Sequence, residues 1–208
     1  MKSQTNVFAV LLTPFIASAR DHLHDPAFLP GLERTRDLLI EIVDTFETRQ
    51  EEVQGNLDLT IQAQQRLVAE ARESAIEKVA AVKDLSDQEA QLHGRIFSPG
   101  PELSEVGQIL DFLRLQEIRQ ALRSLDSLQL QARLEKALSN DEDHVLDAVA
   151  AAPYPMIDRE ILDGILERRA FSRLEAESPA LLKEFEDVKL VNGLVLGMKN
   201  VTRQHLKQ

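Results

Sequence analysis

Two short clusters hold residue types that could do chemistry. Asp21-His22-Leu23-His24-Asp25 brings two imidazoles and two carboxylates together, donors that a divalent metal accepts. Their alternating spacing leads into Pro26 and Pro30, and a solvated turn explains them more simply. Glu142, His144 and Asp147 would share about one helical turn, where an acidic solvated face accounts for them. The chain has no cysteine, which excludes disulfides, thiolate zinc sites and a cysteine nucleophile. Its glycines, at 31, 55, 94, 100, 107, 164, 193 and 197, are scattered rather than gathered into a phosphate-binding loop. No helical segment carries the paired histidines of a metalloprotease, and no serine sits on a strand-to-helix elbow. Asn200-Val201-Thr202 matches a glycosylation acceptor, a pattern that recurs by chance. The expectation is a non-enzymatic protein with no catalytic, cofactor-binding or metal-binding residues.

Composition points the same way. Thirty-five acidic residues against 24 basic ones give a net charge of −11, which opposes general nucleic-acid binding because that needs basic surface to displace counterions. Hydrophobic content is 43% but aromatic content only 4%. Leucine, alanine and glutamate dominate, favouring an all-α fold. The apolar run of residues 7–19 ends in Ala17-Ser18-Ala19 like a secretory signal, but Pro14 interrupts it. It is too short to span a bilayer. Residues 1–30 are read as an N-terminal docking segment, with membrane contact unlooked for.

The element that must organise such a chain is residues 32–92, which contain no proline. As a single helix they would run about 90 Å, so the stretch projects or folds back. Leu39, Val43, Phe46, Val53 and Leu57 fall at coiled-coil spacing and are the expected self-association seam. The pattern continues through Ile61, Val68, Ala71, Ala75, Val82 and Leu85 after a register slip near 57–61. Gln50, Gln64 and Lys78 occupy core positions. Like-charged pairs such as Glu33/Asp37 and Glu73/Glu77 weaken the isolated helix. It therefore needs a partner surface, from another copy or from its own chain.

A long helix over 31–97 is expected to end near Gly94. Ser98-Pro99-Gly100-Pro101 then separates it from a compact helical domain, 102–208. Leu113, Ile118, Leu122 and Val145 are the expected docking residues of that domain. Asp126, then Asn140 or Asp141, then Asp158, and Ser178-Pro179 read as helix starts. Pro153-Tyr154-Pro155 is a stop. Residues 188–198 carry two signals. Asn192-Gly193 between apolar runs suggests a small β-hairpin. Leu181, Phe185, Val188, Val195 and Met198 suggest a helix stripe, preferred because Pro179 pre-sets a helix.

The block 117–157 contains Glu117-Ile118-Arg119, Leu122 and Leu125 before Asp126, and Ala132-Arg133. It continues with Asn140-Asp141-Glu142-Asp143, Val145-Leu146-Asp147-Ala148-Val149, Ala152-Pro153 and Pro155. It resembles uncharacterised helical proteins encoded among the structural genes of tailed bacteriophages. That resemblance implies a multimeric virion component: minor head, connector, ejected or scaffold-like. It would associate with itself and with other virion proteins, in the virion or the host cytoplasm. No catalytic residues come with it. The competing expectation is an acidic helical adaptor or inhibitor that binds a single host protein.

Overall fold

Gly55 ends a helix that hydrophobic spacing alone would let continue. The computed structural model describes residues 4–97 and 105–208, so the Ser98–Pro101 break lies outside the described residues. Helix α1 spans Gln4–His22, a 3₁₀ turn spans Pro26–Phe28, and α2 spans Leu29–Gly55. Then come α3 (Ile61–Ala81), α4 (Ser86–Ile96), α5 (Glu105–Leu122) and α6 (Ser127–Ser139). The order ends with α7 (Asp143–Ala150), α8 (Arg159–Glu177) and α9 (Pro179–Leu206). Among the described residues every regular element is helical, so the chain is all-α.

The single helix expected over 31–97 is corrected to three, broken at 56–60 and 82–85. The cause is local. Asn56 turns to extended backbone after the poor helix former Gly55. The Thr60 hydroxyl accepts from the Ala63 amide at 3.2 Å and caps α3. The Gln64 side-chain Nε2 donates to the Asn56 carbonyl at 3.0 Å, tying the first turn of α3 to the end of α2. The register slip read near 57–61 is therefore a helical hairpin, and Gln64 closes it rather than interrupting a seam.

The chain divides into two units, Met1–His93 with Lys183–Gln208, and Gly94–Leu182. The last residues of the expected 102–208 domain thus group with the N-terminal helices. In the first unit Phe8, Leu12 and Ile16 of α1 pack with Leu39, Val43 and Phe46 of α2, and with Ala75 and Val79 of α3. Val191, Val195 and Met198 of α9 complete that core. Gly197 permits close approach, because a Cβ there would lie 2.5 Å from Cε1 of Phe15.

Three buried polar side chains on α9 hold the connections of this unit. The Asp187 carboxylate accepts the amides of His24 and Asp25, each at 2.8 Å. Asn192 accepts the Leu85 amide at 3.0 Å and donates to Glu89 at 2.6 Å. Lys199 donates to the Val82 carbonyl at 2.8 Å, just past the end of α3, and to Asp84 at 3.1 Å. These contacts explain why the alternative hairpin does not form and residues 188–198 are helical, as the preferred reading has it. Asn192 is committed to the start of α4, and a turn at Asn192-Gly193 would withdraw its side chain and split the stripe of Val188, Val191 and Val195 from the core.

In the second unit Asp126 forms a capping box with Gln129 at the start of α6. Asp158 caps α8 by accepting the Glu160 amide at 2.8 Å. The start of α7 needs correction: Asn140 closes α6, and Glu142 precedes the first residue of α7. Asp141 adopts φ 54° between them, a left-handed conformation that Asp tolerates better than most residues. Leu122, Leu134, Val145, Leu146, Val149 and Ile165 make the core of the unit.

Candidate functional site

The two clusters that suggested chemistry are used within the fold. His24 and Asp25 give their amides to Asp187, the His24 imidazole meets Glu186 at 3.0 Å, and the Asp25 carboxylate accepts from Ala27. This is the turn that joins α1 to α2, held by α9. Glu142 pairs with Arg133 and Asp147 with Arg169. Among the described residues no three His, Cys, Asp or Glu side chains gather as a metal site would require. Thr202 is fully buried and bonds the Met198 carbonyl, so the glycosylation pattern presents no accessible hydroxyl.

The acidic face of α7 is a clamp. Arg169 of α8 sits 2.5 Å from Asp143 and 2.6 Å from Asp147, Arg173 pairs with Asp143, and Arg168 meets Glu135 of α6 at 2.6 Å. Burial alone would push the Arg169 guanidinium down. Its bonds to Asp147 and Asp143 outweigh this and hold it above its ordinary value. The bond from Arg133, with a smaller one from Asn140, holds the Glu142 carboxyl below its usual range. These ion pairs join α6, α7 and α8 and leave α5 to present the surface.

Arg119 is the residue around which that surface is built. It is only 6% exposed, and its guanidinium donates to the carbonyls of Ala151 and Ala148 at 3.1 and 3.4 Å. A cation at a helix C-terminus satisfies orphan carbonyls and complements the dipole, so Arg119 ties α5 to the end of α7. Its Cζ lies 5.8 Å from the centroid of the Phe112 ring, within cation–π range.

Helical spacing extends this contact into a stripe. Ile109, Phe112, Gln116 and Arg119 recur every three or four residues and share one face of α5, with Leu113 at its border and Arg123 continuing the series one residue past its end. Ile109, Phe112 and Leu113 are 61%, 59% and 51% exposed, and Leu110, around the helix, is 62% exposed. Arg123 extends the helical turn through its amide bond to the Arg119 carbonyl at 3.0 Å. Beside the two arginines, Leu122, Leu125 and the exposed Tyr154 line a groove of about 260 Å³.

The nine residues expected to carry interactions divide sharply. Leu39, Val43, Phe46 and Val53 are buried in the first unit, whereas Leu57 is 96% exposed in the turn after α2. Leu122 and Val145 are buried in the second core and Ile118 is packed against it. Of the docking set only Leu113 is on the surface. Phe112, Arg119 and Arg123 were not singled out as contact residues. The available signal was the density of apolar residues over 109–113, more than one core-facing stripe can absorb.

No family model, curated protein or solved structure matches the chain. Among the described residues no helix is long and apolar enough to cross a membrane.

Proposed function

We propose that this protein is a non-enzymatic helical component of a tailed-phage particle, acting as a docking body for another virion protein. The observation that carries the reading is the exposed apolar group Ile109, Leu110, Phe112 and Leu113 on the first half of α5. Large apolar side chains clustered on a surface mark interaction sites more often than chance exposure does. Covering the exposed parts of these four side chains would contribute roughly 1 kcal/mol each. The resemblance of 117–157 supplies the virion setting. Within that block Arg119 and Asp126 hold the framework from which α5 presents its face.

Docking through α5 replaces the self-association seam expected on α2. Leu39, Val43 and Phe46 already serve the core of their own unit, and pairing through them would require opening it. The test is expression beside the products of the genes flanking its own, followed by sizing. The reading expects a stable heteromeric complex that Phe112→Ser with Ile109→Ser dissolves. A chain that elutes apart from every such product contradicts it.

A second reading is favoured by the α2–α3 hairpin, which buries Leu39, Val43 and Phe46 in one core with Ala75 and Val79 of its own chain. On that reading the protein is an acidic adaptor that binds one host protein. It is supported if light scattering gives a 23.4 kDa monomer that ignores all flanking-gene products.

A further inference from the structure

The stripe on α5 changes character along its length, and that change specifies an occupant. Ile109, Phe112 and Leu113 form an apolar end. Arg123, one residue past the end of α5, gives the other end an exposed cation about 16 Å further along the axis from Phe112 at helical rise. Arg123 is exposed and meets no acidic side chain among the described residues. The groove beside it has an apolar floor at Leu122 and Leu125.

We propose that this face receives an acidic amphipathic helix of a partner protein. Its apolar side chains would lie on Ile109, Phe112 and Leu113, and its carboxylates about three turns away on the exposed Arg123. The inference rests on the docking reading above and names the chemistry of the partner. Helix-in-groove recognition uses anchors at this spacing, and a carboxylate on an arginine makes the stronger, directional kind of hydrogen bond.

Charge decides against the other occupants. A second copy pairing antiparallel through α5 would set Arg123 opposite apolar side chains, and a parallel one would set Arg123 against its own equivalent. Either arrangement covers a cation without a counter-charge, which is costly. Nucleic acid would bring a continuous run of phosphates to a chain of net charge −11. A helix with a few carboxylates at one end meets Arg123 with far less of that repulsion.

The experiment uses the full-length protein and three fluorescein-labelled helical peptides. The first carries leucines one turn apart and glutamates two and three turns further on. The second replaces its glutamates with lysines, and the third its leucines with alanines. Binding is read by anisotropy at low and high salt. The acidic peptide should bind the wild type, lose about tenfold or more in affinity to Arg123→Glu, and weaken with salt. Ile109→Ser should weaken it independently of salt. If the lysine peptide binds the wild type as well as the acidic one, the inference fails while the docking reading stands. If Ile109→Ser and Phe112→Ser leave every peptide unaffected, both fail. If Ile109→Ser converts an oligomeric wild type to a monomer, the occupant is a second copy and the inference is overturned. Arg119 is left intact throughout because its loss would also release α7.

Discussion

Removing the Asp187 carboxylate should loosen the N-terminal turn of the first unit. Asp187 is 1% exposed, and its two oxygens accept the amides of His24 and Asp25 at 2.8 Å each. Hydrogen bonds to a charged group contribute about 1.5–3 kcal/mol apiece, and a buried donor left without an acceptor carries its own desolvation cost. The two bonds share one carboxylate and both amides sit at the edge of the core, so their effects will not add fully. Asp187→Ala should therefore cost about 3 kcal/mol, which for a chain of this length lowers Tm by roughly 6–12 °C. Asp187→Asn keeps one acceptor oxygen and should lose about half as much. Thermal and urea unfolding followed by far-UV circular dichroism would measure both. Amide exchange at His24 and Asp25 should accelerate in the alanine variant, while amides of the second unit keep their rates. An alanine variant within about 0.5 kcal/mol of wild type, a shift expected of ordinary surface positions, would refute the idea that α9 holds this turn.

Four further outcomes follow from the structure. Gly193→Ala meets open space and should stabilise α9 by about 0.5–1 kcal/mol through helix propensity. Gly197→Ala drives its methyl into Phe15 and should lose about 1 kcal/mol net, with Phe15→Leu restoring the loss; thermal melts of the three variants decide this. The Ser86 hydroxyl, with Lys199 and the Ser86 amide, holds the Asp84 carboxyl below its usual 3.8. A lowered folded value means that this stability is present above the unfolded value and lost as pH falls through the folded one. Urea midpoints recorded down to about pH 2 should accordingly show a shallower acid decline in Asp84→Asn than in wild type. Finally, Ile109→Ser with Phe112→Ser should leave Tm within about 1 °C of wild type, since exposed side chains add little to folding, and should abolish the heteromeric complex seen on sizing.

Local signals in this sequence were legible and distant ones were not. Asp126, Asp158 and Pro179 could be placed because a cap is defined by residues within one turn of it. The slip at 57–61 and the misplaced Gln64 marked a real discontinuity, though spacing could not say that the chain reverses there. Of the self-association seam expected at Leu39, Val43, Phe46, Val53 and Leu57, the first four are buried within their own unit and Leu57 is exposed. What covers the seam comes from α1, α3 and α9, the last more than a hundred residues away, and no period encodes that. Asn192-Gly193 carried a strong local turn signal that tertiary partners at Leu85 and Glu89 override. The same limit explains the docking face. Of the expected docking residues only Leu113 is exposed, and Arg119 is fixed by carbonyls at Ala148 and Ala151, which no local spacing encodes.

The claim that α5 docks while α2 serves only its own core is tested most directly by hydrogen exchange. Exchange of the free protein would be compared with that of the complex formed with its flanking-gene partner. The account predicts new protection in peptides covering 107–123 and no change in those covering 39–57. New protection over 39–57, with 107–123 exchanging as in the free protein, would contradict it.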